Sequence, residues 1–320
     1  MKSFYLKSVV LVSIFSFIKF LLNLKVASLL MPSDYGVILI PLIAFSFLDV
    51  LLEGGLHSAI IKFNASGSDI NLILRNKARL WLYLSPLIGL LLALSNYIFE
   101  INIPIFIIIG FMFISLIRLS NYFFEAKLIS EGYFIRTEFL NFLVTTFFYS
   151  LFIYIIPISE ISGYYFLIIL NILVFGFYGV LLYSSYQGIS NRGIKSSYLD
   201  LSLFSKNVMQ SNLIFALGGR IDELIAAALY SPAILGIYSR IKELGVMLGI
   251  FSSKIISRPW YYVACNIPSK YVKSLHFAVM ILMLILLFLL LNIMDSGVNL
   301  IISILGPNWT LLEEFSDFIV

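Results

Sequence analysis

The feature that most limits what this chain can fold into is a series of separate apolar runs, each about 20 residues long. At 1.5 Å per residue, a helix of this length crosses a hydrocarbon core of ~30 Å. Of the 320 residues, 61% are apolar and 12% are charged, whereas soluble domains average about 45–50% and 25%. The sequence therefore predicts an all-α polytopic membrane protein. It excludes a soluble protein, a single-span anchor and a peripheral protein.

The apolar windows and their charged flanks predict nine transmembrane spans. The connections after spans 1, 3, 5 and 9 carry no lysine or arginine, whereas those after spans 2, 4, 6 and 8 are basic. Because Lys and Arg accumulate in cytoplasmic loops, we expect the N-terminus and the even-numbered connections to be cytoplasmic. These longer connections are predicted to extend the helices or to form interfacial helices. The predicted spans are 8–31, 36–55, 78–99, 102–121, 138–158, 163–186, 204–229, 233–257 and 273–294.

The sequence lacks the motifs of several enzyme and binding classes. The short outer connections cannot hold an extramembrane catalytic domain, which argues against a glycan polymerase or an acyltransferase. The single cysteine, Cys265, excludes an internal disulfide and a cysteine-based metal cluster. No Walker loop, His-rich metal spacing or Gly-x-Ser-x-Gly motif is present, and no basic block is dense enough for nucleic acid. We therefore expect a protein that is not an enzyme, has no metal or other cofactor and binds no nucleic acid.

Two turns with the same pattern predict an internal repeat. One follows span 1 and the other follows span 7, and each has a proline and then a glycine that opens the next helix. The glycines, Gly36 and Gly236, lie 200 residues apart, with six spans between the turns. This spacing predicts a parallel two-lobed plan, as in several transporter folds, with a second lobe running to about residue 400. The predicted parts are a six-helix N-terminal lobe at 1–200 and a C-terminal lobe at 201–320 that is three spans short.

Four stretches, taken in order along the chain, resemble a known family. Leu29–Val37 resembles the turn after that family's first helix, and Glu53–Lys62 resembles the end of its second. Ile221–Arg240 is similar to its Asp-containing seventh helix and the Gly-x-Tyr start of its eighth, and Ile304–Trp309 to the segment before its tenth. The family is the polysaccharide (O-antigen, Wzx-type) flippases of the multidrug/oligosaccharidyl-lipid/polysaccharide exporter superfamily.

The resemblance implies a flippase that moves a polyprenyl-pyrophosphate-linked oligosaccharide, an O-antigen or capsular repeat unit, across the bacterial cytoplasmic (inner) membrane by alternating access. It implies a twelve-helix, two-lobed fold with a cleft lined chiefly by the first two helices of each lobe. The implied partners are this substrate, membrane lipids, and the glycan polymerase and assembly machinery. The alternatives are a cation-coupled multidrug exporter of the same superfamily, a membrane-embedded glycan polymerase, and a truncated, inactive product.

Ionisable side chains within the spans are concentrated in spans 1, 2, 7 and 8, which the resemblance places on the cleft. A charge at the bilayer centre costs about 2.5–3.5 kcal/mol, so each one indicates either function or a buried ion pair. Lys19 fits both roles equally, whereas Lys25 is near enough to the outer interface to act as an anchor. The candidate cations for an anionic substrate are Lys19, Arg220, Arg240 and Lys242.

Span 2 carries a possible proton relay. Asp49, Glu53 and His57 are four residues apart, so on one continuous helix they share a face. Two carboxylates and an imidazole have the chemistry to pass protons. The simpler alternative, slightly favoured, is that Asp49 pairs with Lys19 and that His57 lies among the lipid headgroups.

The charged residues on spans 7 and 8 form a second group of candidate site residues. Arg220 and Glu223 are three residues apart and are expected to neutralise each other. Asp222 points about 200° away from Arg220 around the helix and is a further coupling candidate. The same spacing recurs on span 8, where the expected pair is Arg240 with Glu243 and the unmatched cation is Lys242.

Overall fold

A computed structural model describes residues 2–63, 67–99, 103–154, 163–187 and 198–240, together with residues 242, 277, 280, 281, 284, 305 and 309. The described residues contain helices and no strands. The helices are α1 (Lys2–Ser28), α2 (Pro32–Glu53), α3 (Leu56–Phe63), α4 (Gly67–Phe99), α5 (Ile105–Ser130), α6 (Phe134–Tyr154), α7 (Gly163–Gln187) and α8 (Tyr198–Leu229). A further helical segment, α9, covers 232–240.

Most predicted spans correspond to long helices. Spans 1 to 7 coincide with α1, α2 and α4 to α8, and span 8 begins in α9. Span 9 lies almost wholly outside the described residues, so the count of nine and the two-lobed plan remain predictions. The helices also run beyond the predicted cytoplasmic ends of the spans, because α4 begins at Gly67 and α5 continues to Ser130. These extensions and the short helix α3 agree with the expectation for the longer connections.

Five helical stretches are long and apolar enough to cross a membrane, judged by length and composition among the described residues. Large apolar side chains such as Phe113, Phe147 and Leu90 are exposed on these helices, as expected for surfaces that face lipid rather than water. The protein is therefore a multi-pass membrane protein. The five stretches are Pro32–Phe63, Ile73–Leu94, Ile105–Ser130, Phe134–Tyr154 and Tyr165–Gln187.

Helix α2 contacts several other helices of the described bundle. It packs against α4, α5, α7 and α8. Pro32 at its first turn has the backbone angle that a helix start requires and lacks the N–H that would otherwise go unbonded. The helix ends where Gly54 and Gly55 adopt left-handed conformations, with φ of 49° and 65°, and the Gly54 N–H donates to the carbonyl of Val50. Glycine takes up this conformation without steric cost.

The two turns of the predicted repeat lie against each other. A methyl group at Gly36 would overlap the carbonyl oxygen of Pro232, and one at Gly236 would overlap the carbonyl oxygen of Pro32. Each glycine therefore contacts the proline of the other turn, which is the reciprocal pattern of an interface with two-fold symmetry. Only residues without a side chain allow the two backbones to approach this closely.

Candidate functional site

Four charged side chains of α8 and of the segment after α9 are connected with a tyrosine and a serine of α9. This group is called here the α8–α9 network and consists of Arg220, Asp222, Glu223, Tyr238, Ser239 and Lys242. The Nη1 atom of Arg220 lies 2.6 Å from Oε2 of Glu223, so the predicted neutralising pair is confirmed. Glu223 is only 2% exposed, and its Oε1 atom also accepts a hydrogen bond of 3.1 Å from Ser239. A buried carboxylate needs such partners, because desolvation without compensation is costly.

Lys242 is not an unmatched cation, so this prediction was wrong. Its Nζ atom lies 2.6 Å from Oδ1 of Asp222 and 3.7 Å from Oε1 of Glu223, and it also donates to the carbonyl of Gly219. The reason is the tight turn at Pro232, which makes α8 and α9 a hairpin. Asp222 and Lys242 are each ten residues from that proline, and residues equally far from such a turn lie at the same level of the two helices.

Asp222 completes the network through Tyr238, whose hydroxyl donates to Oδ2 at 2.6 Å. The network thus contains two cations and two carboxylates, and its formal charge is zero. Parts of it remain accessible, since the side chains of Arg220 and Asp222 are 35% and 39% exposed. An approaching anion would therefore meet a neutral network that exposes one cation, Arg220, and one carboxylate, Asp222.

Arg240, the fourth candidate cation, is buried. Its guanidinium lies 4.0 Å from the ring centre of Tyr35, a cation–π contact that desolvation strengthens. Tyr35 in turn packs edge-on against Trp309, whose indole N–H donates to the carbonyl of Leu30 at 3.2 Å. The predicted partner Glu243 lies outside the described residues. Arg240 thus joins α9 to the first turns of α2.

A second charged site joins α2 to α5. Oδ2 of Asp49 lies 2.5 Å from Nη1 of Arg118, and Nη2 of Arg118 donates to the hydroxyl of Tyr122 at 2.6 Å. The Arg118 guanidinium also lies 5.4 Å from the ring centre of Phe175. The alternative that Asp49 pairs with Lys19 was therefore wrong. Asp49 is 6% exposed, whereas the side chain of Arg118 is 32% exposed.

Arg118 is the residue that sequence reasoning missed. It lies within predicted span 102–121 and is the only charged side chain there. An arginine inside an apolar run is by default a functional candidate, so the signal was present. The resemblance places spans 1, 2, 7 and 8 on the cleft, and Arg118, on span 4, was therefore not among the predicted residues.

The predicted relay does not lie on one helix. Asp49 and Glu53 belong to α2, but His57 belongs to α3, and the left-handed Gly54 and Gly55 separate the two. Positions four residues apart share a face only while the helix is continuous. The prediction of a single three-residue face was therefore wrong, although all three side chains lie near the same end of α2.

Lys19 lies half-buried on α1. Its neighbour Phe20 packs against the cluster that contains Leu24 and Trp309, whereas Lys25 is exposed. The contrast in burial between the two lysines matches the distinction drawn from the sequence. Substrate binding by Lys19 remains a prediction.

A family model described as "Polysaccharide biosynthesis protein" matches residues 26–311. That range begins near the end of α1 and includes α2 to α9. No curated protein and no solved structure matches the chain.

Proposed function

Since the chain belongs to the polysaccharide biosynthesis protein family, we propose that it is a flippase. Its substrate is a polyprenyl-pyrophosphate-linked oligosaccharide, an O-antigen or capsular repeat unit. The protein moves this lipid from the inner to the outer leaflet of the bacterial cytoplasmic membrane, with its own N-terminus on the cytoplasmic side. It makes and breaks no covalent bond, so it is a transporter and not an enzyme.

One observation carries the proposal: the family match extends over the membrane-type helices themselves. Whatever the family contributes to polysaccharide synthesis therefore resides in apolar helices. A bundle of this kind is suited to moving a lipid-linked intermediate, because a transport path needs polar groups facing a cleft and lipid-facing sides elsewhere.

The paired cations suggest how an anionic headgroup is accommodated. Arg118 and Arg220 are each about one-third exposed while bound to a carboxylate. A guanidinium has five donors in a planar fork, so it is able to bind a phosphate oxygen while keeping its carboxylate partner. Lys242 must release Asp222 to do the same. Lys19 and Arg240 complete the proposed set of cations, and Asp49, Glu53, His57 and Asp222 are the acidic and imidazole groups proposed for coupling.

The same contacts argue against the cation-coupled multidrug exporter. That activity needs a carboxylate available to a cation in the cavity. Asp49 is engaged by Arg118, and Asp222 by Lys242 and Tyr238. Each of these carboxylates already has a cationic partner, with which a drug cation would have to share it.

The proposal is tested in a bacterial host that lacks its own exporter but keeps the glycan polymerase. We expect the gene for this chain to restore surface polysaccharide and to abolish the build-up of lipid-linked repeat units in the inner leaflet. If single repeat units reach the outer leaflet without this protein and only their polymerisation depends on it, the protein is a polymerase and the proposal fails.

A further inference from the structure

A pocket of about 180 Å³ with polar and apolar lining residues opens where the end of α2 meets the first third of α4 and of α8. It lies apart from the α8–α9 network and from the Asp49–Arg118 pair, and no role described above uses it. Its polar lining consists of Gly54, Asn76, Lys77, Ser202, Ser205 and Lys206.

The chemistry of this pocket favours an anion. Two ammonium groups, an amide and hydroxyls offer hydrogen-bond donors, and among the described residues that line the pocket there is no carboxylate. Lys206 is exposed and forms no ion pair with the described residues. The carboxylate of Glu53 lies near Lys77 and offsets part of its charge. A net positive charge therefore remains at the pocket.

The position of Lys77 is built into the fold. Its Nζ atom donates to the carbonyl of Leu51 at 2.9 Å, and a side chain at Gly54 would overlap that ammonium group. The adjacent Gly55 allows α8 to approach in the same way, since a methyl group there would overlap the carbonyl of Ser205. The Gly54–Gly55 pair thus allows α2, Lys77 and α8 to converge on one point.

The depth of the pocket indicates where its ligand comes from. Gly54, Lys77 and Lys206 each lie within two residues of a predicted membrane boundary, at 55, 78 and 204. These boundaries are all on the predicted cytoplasmic side, at the level of lipid headgroups. The apolar part of the lining, called here the floor, consists of Ile73, Leu201 and Met209, and a hydrocarbon chain can pack against it.

We propose that this pocket binds the phosphate group of a lipid headgroup in the cytoplasmic leaflet, at a step before the headgroup enters the bundle. Lys77 and Lys206 bind the phosphate oxygens, and the lipid chain runs along the apolar floor. The inference rests on the proposed function for the identity of the lipid, a polyprenyl pyrophosphate. The phosphate chemistry follows from the pocket alone.

The test uses the full chain in a phosphate-free sugar detergent, with farnesyl pyrophosphate as the lipid probe. We expect saturable binding to wild type and binding weaker by about tenfold or more in Lys77→Gln and Lys206→Gln, since a hydrogen bond to a charged group contributes a factor of this order. Arg75→Gln is the matched control, because Arg75 is an exposed cation on the same end of α4 that does not line the pocket. It should bind as wild type does.

Two further probes identify the ligand class. Farnesol, which lacks the phosphate, should not compete, and inorganic pyrophosphate should compete only weakly. Equal affinity for inorganic pyrophosphate would overturn the assignment to a lipid. Unchanged binding in both lysine variants, or an equal loss in Arg75→Gln, would overturn the site itself. Lys206 is exposed, so its substitution should leave the packing intact.

This experiment separates the two proposals. If the protein exports polysaccharide but the lysine variants bind the lipid normally, the pocket proposal fails and the flippase proposal stands. If binding depends on Lys77 and Lys206 but the protein exports nothing, the pocket proposal stands and the flippase proposal fails.

Discussion

A charged side chain is stable in an apolar bundle when an opposite charge lies within reach, and removing one partner costs more than removing both. Lys242 illustrates this, because its spacing on predicted span 8 left it unmatched while the facing helix α8 supplies Asp222 at 2.6 Å. Sequence spacing within one helix predicts pairs such as Arg220 with Glu223. Pairs between helices depend on the hairpin, and the equal distance of Asp222 and Lys242 from Pro232 is the signal that the sequence analysis did not use.

The Asp222–Lys242 pair leads to a prediction about stability. Asp222→Asn and Lys242→Met should each lower the midpoint of thermal unfolding in detergent, because each leaves one charge without its main partner. Both groups are partly exposed, so we expect about 1 kcal/mol each. The double variant should recover most of the loss, because it leaves no unpaired charge. Losses that simply add would show that the two side chains are not coupled.

A second residue-scale prediction contrasts the two lysines of α1. Lys19 is half-buried and Lys25 is exposed. Lys19→Gln should reduce export strongly while the amount of protein in the membrane stays normal, and Lys25→Gln should change neither. The readouts are surface polysaccharide and immunoblots of membranes. Loss of the Lys19→Gln protein from the membrane would instead identify Lys19 as a structural residue.

At the scale of helices, the sequence predicted the existence of elements better than their limits. Apolar length identified α1, α2 and α4 to α8, because a bilayer demands a minimum length of helix. The predicted span ended at 55, close to the end of α2 at Glu53, but the relay prediction continued the same helical face through His57. Gly-Gly is a recognised breaker, and its left-handed geometry is what divided the expected relay. Arg118 was missed for a different reason, because it lies on span 4, which the resemblance does not place on the cleft, and its partner lies 69 residues away in sequence.

The reciprocal contact between the two turns gives a prediction at this scale. Gly36→Ala and Gly236→Ala each insert a methyl group into a backbone contact, so each should destabilise the protein by about 1–3 kcal/mol. Gly176→Ala is the control, because nothing lies within 4 Å of the position its methyl group would take. It lies within α7 and should be neutral or slightly stabilising. The midpoint of thermal unfolding is measured for all three variants. Equal midpoints for the two turn variants and the control would show that the contact between the turns tolerates a side chain.

The whole molecule is a multi-pass membrane protein in which polar contacts join apolar helices. Among the contacts of α2 and its cap are those with Arg118 on α5 and with Ser205 of α8, whose hydroxyl donates a hydrogen bond to the Gly54 carbonyl. Removing either contact therefore affects the packing of α2. The orientation in the membrane rests on the distribution of Lys and Arg alone.

That orientation is open to direct measurement. Cys265, the only cysteine of the chain, follows predicted span 8 and precedes Lys270 and Lys273, which places it on the predicted cytoplasmic side. An impermeant thiol reagent should label it in inverted membrane vesicles and fail to do so in intact cells. Labelling in intact cells would reverse the predicted orientation and would move the lysine pocket to the outer leaflet.

The central claim is that these helices move a lipid-linked oligosaccharide without altering it. The most direct measurement reconstitutes the purified protein into liposomes that carry this lipid in one leaflet and follows its accessibility to an impermeant glycan-modifying enzyme. We expect protein-dependent movement to the other leaflet, with the lipid recovered chemically unchanged and with slower movement for Lys19→Gln. If the lipid stays in its leaflet while its glycan is lengthened or cleaved, the protein is an enzyme and not a flippase.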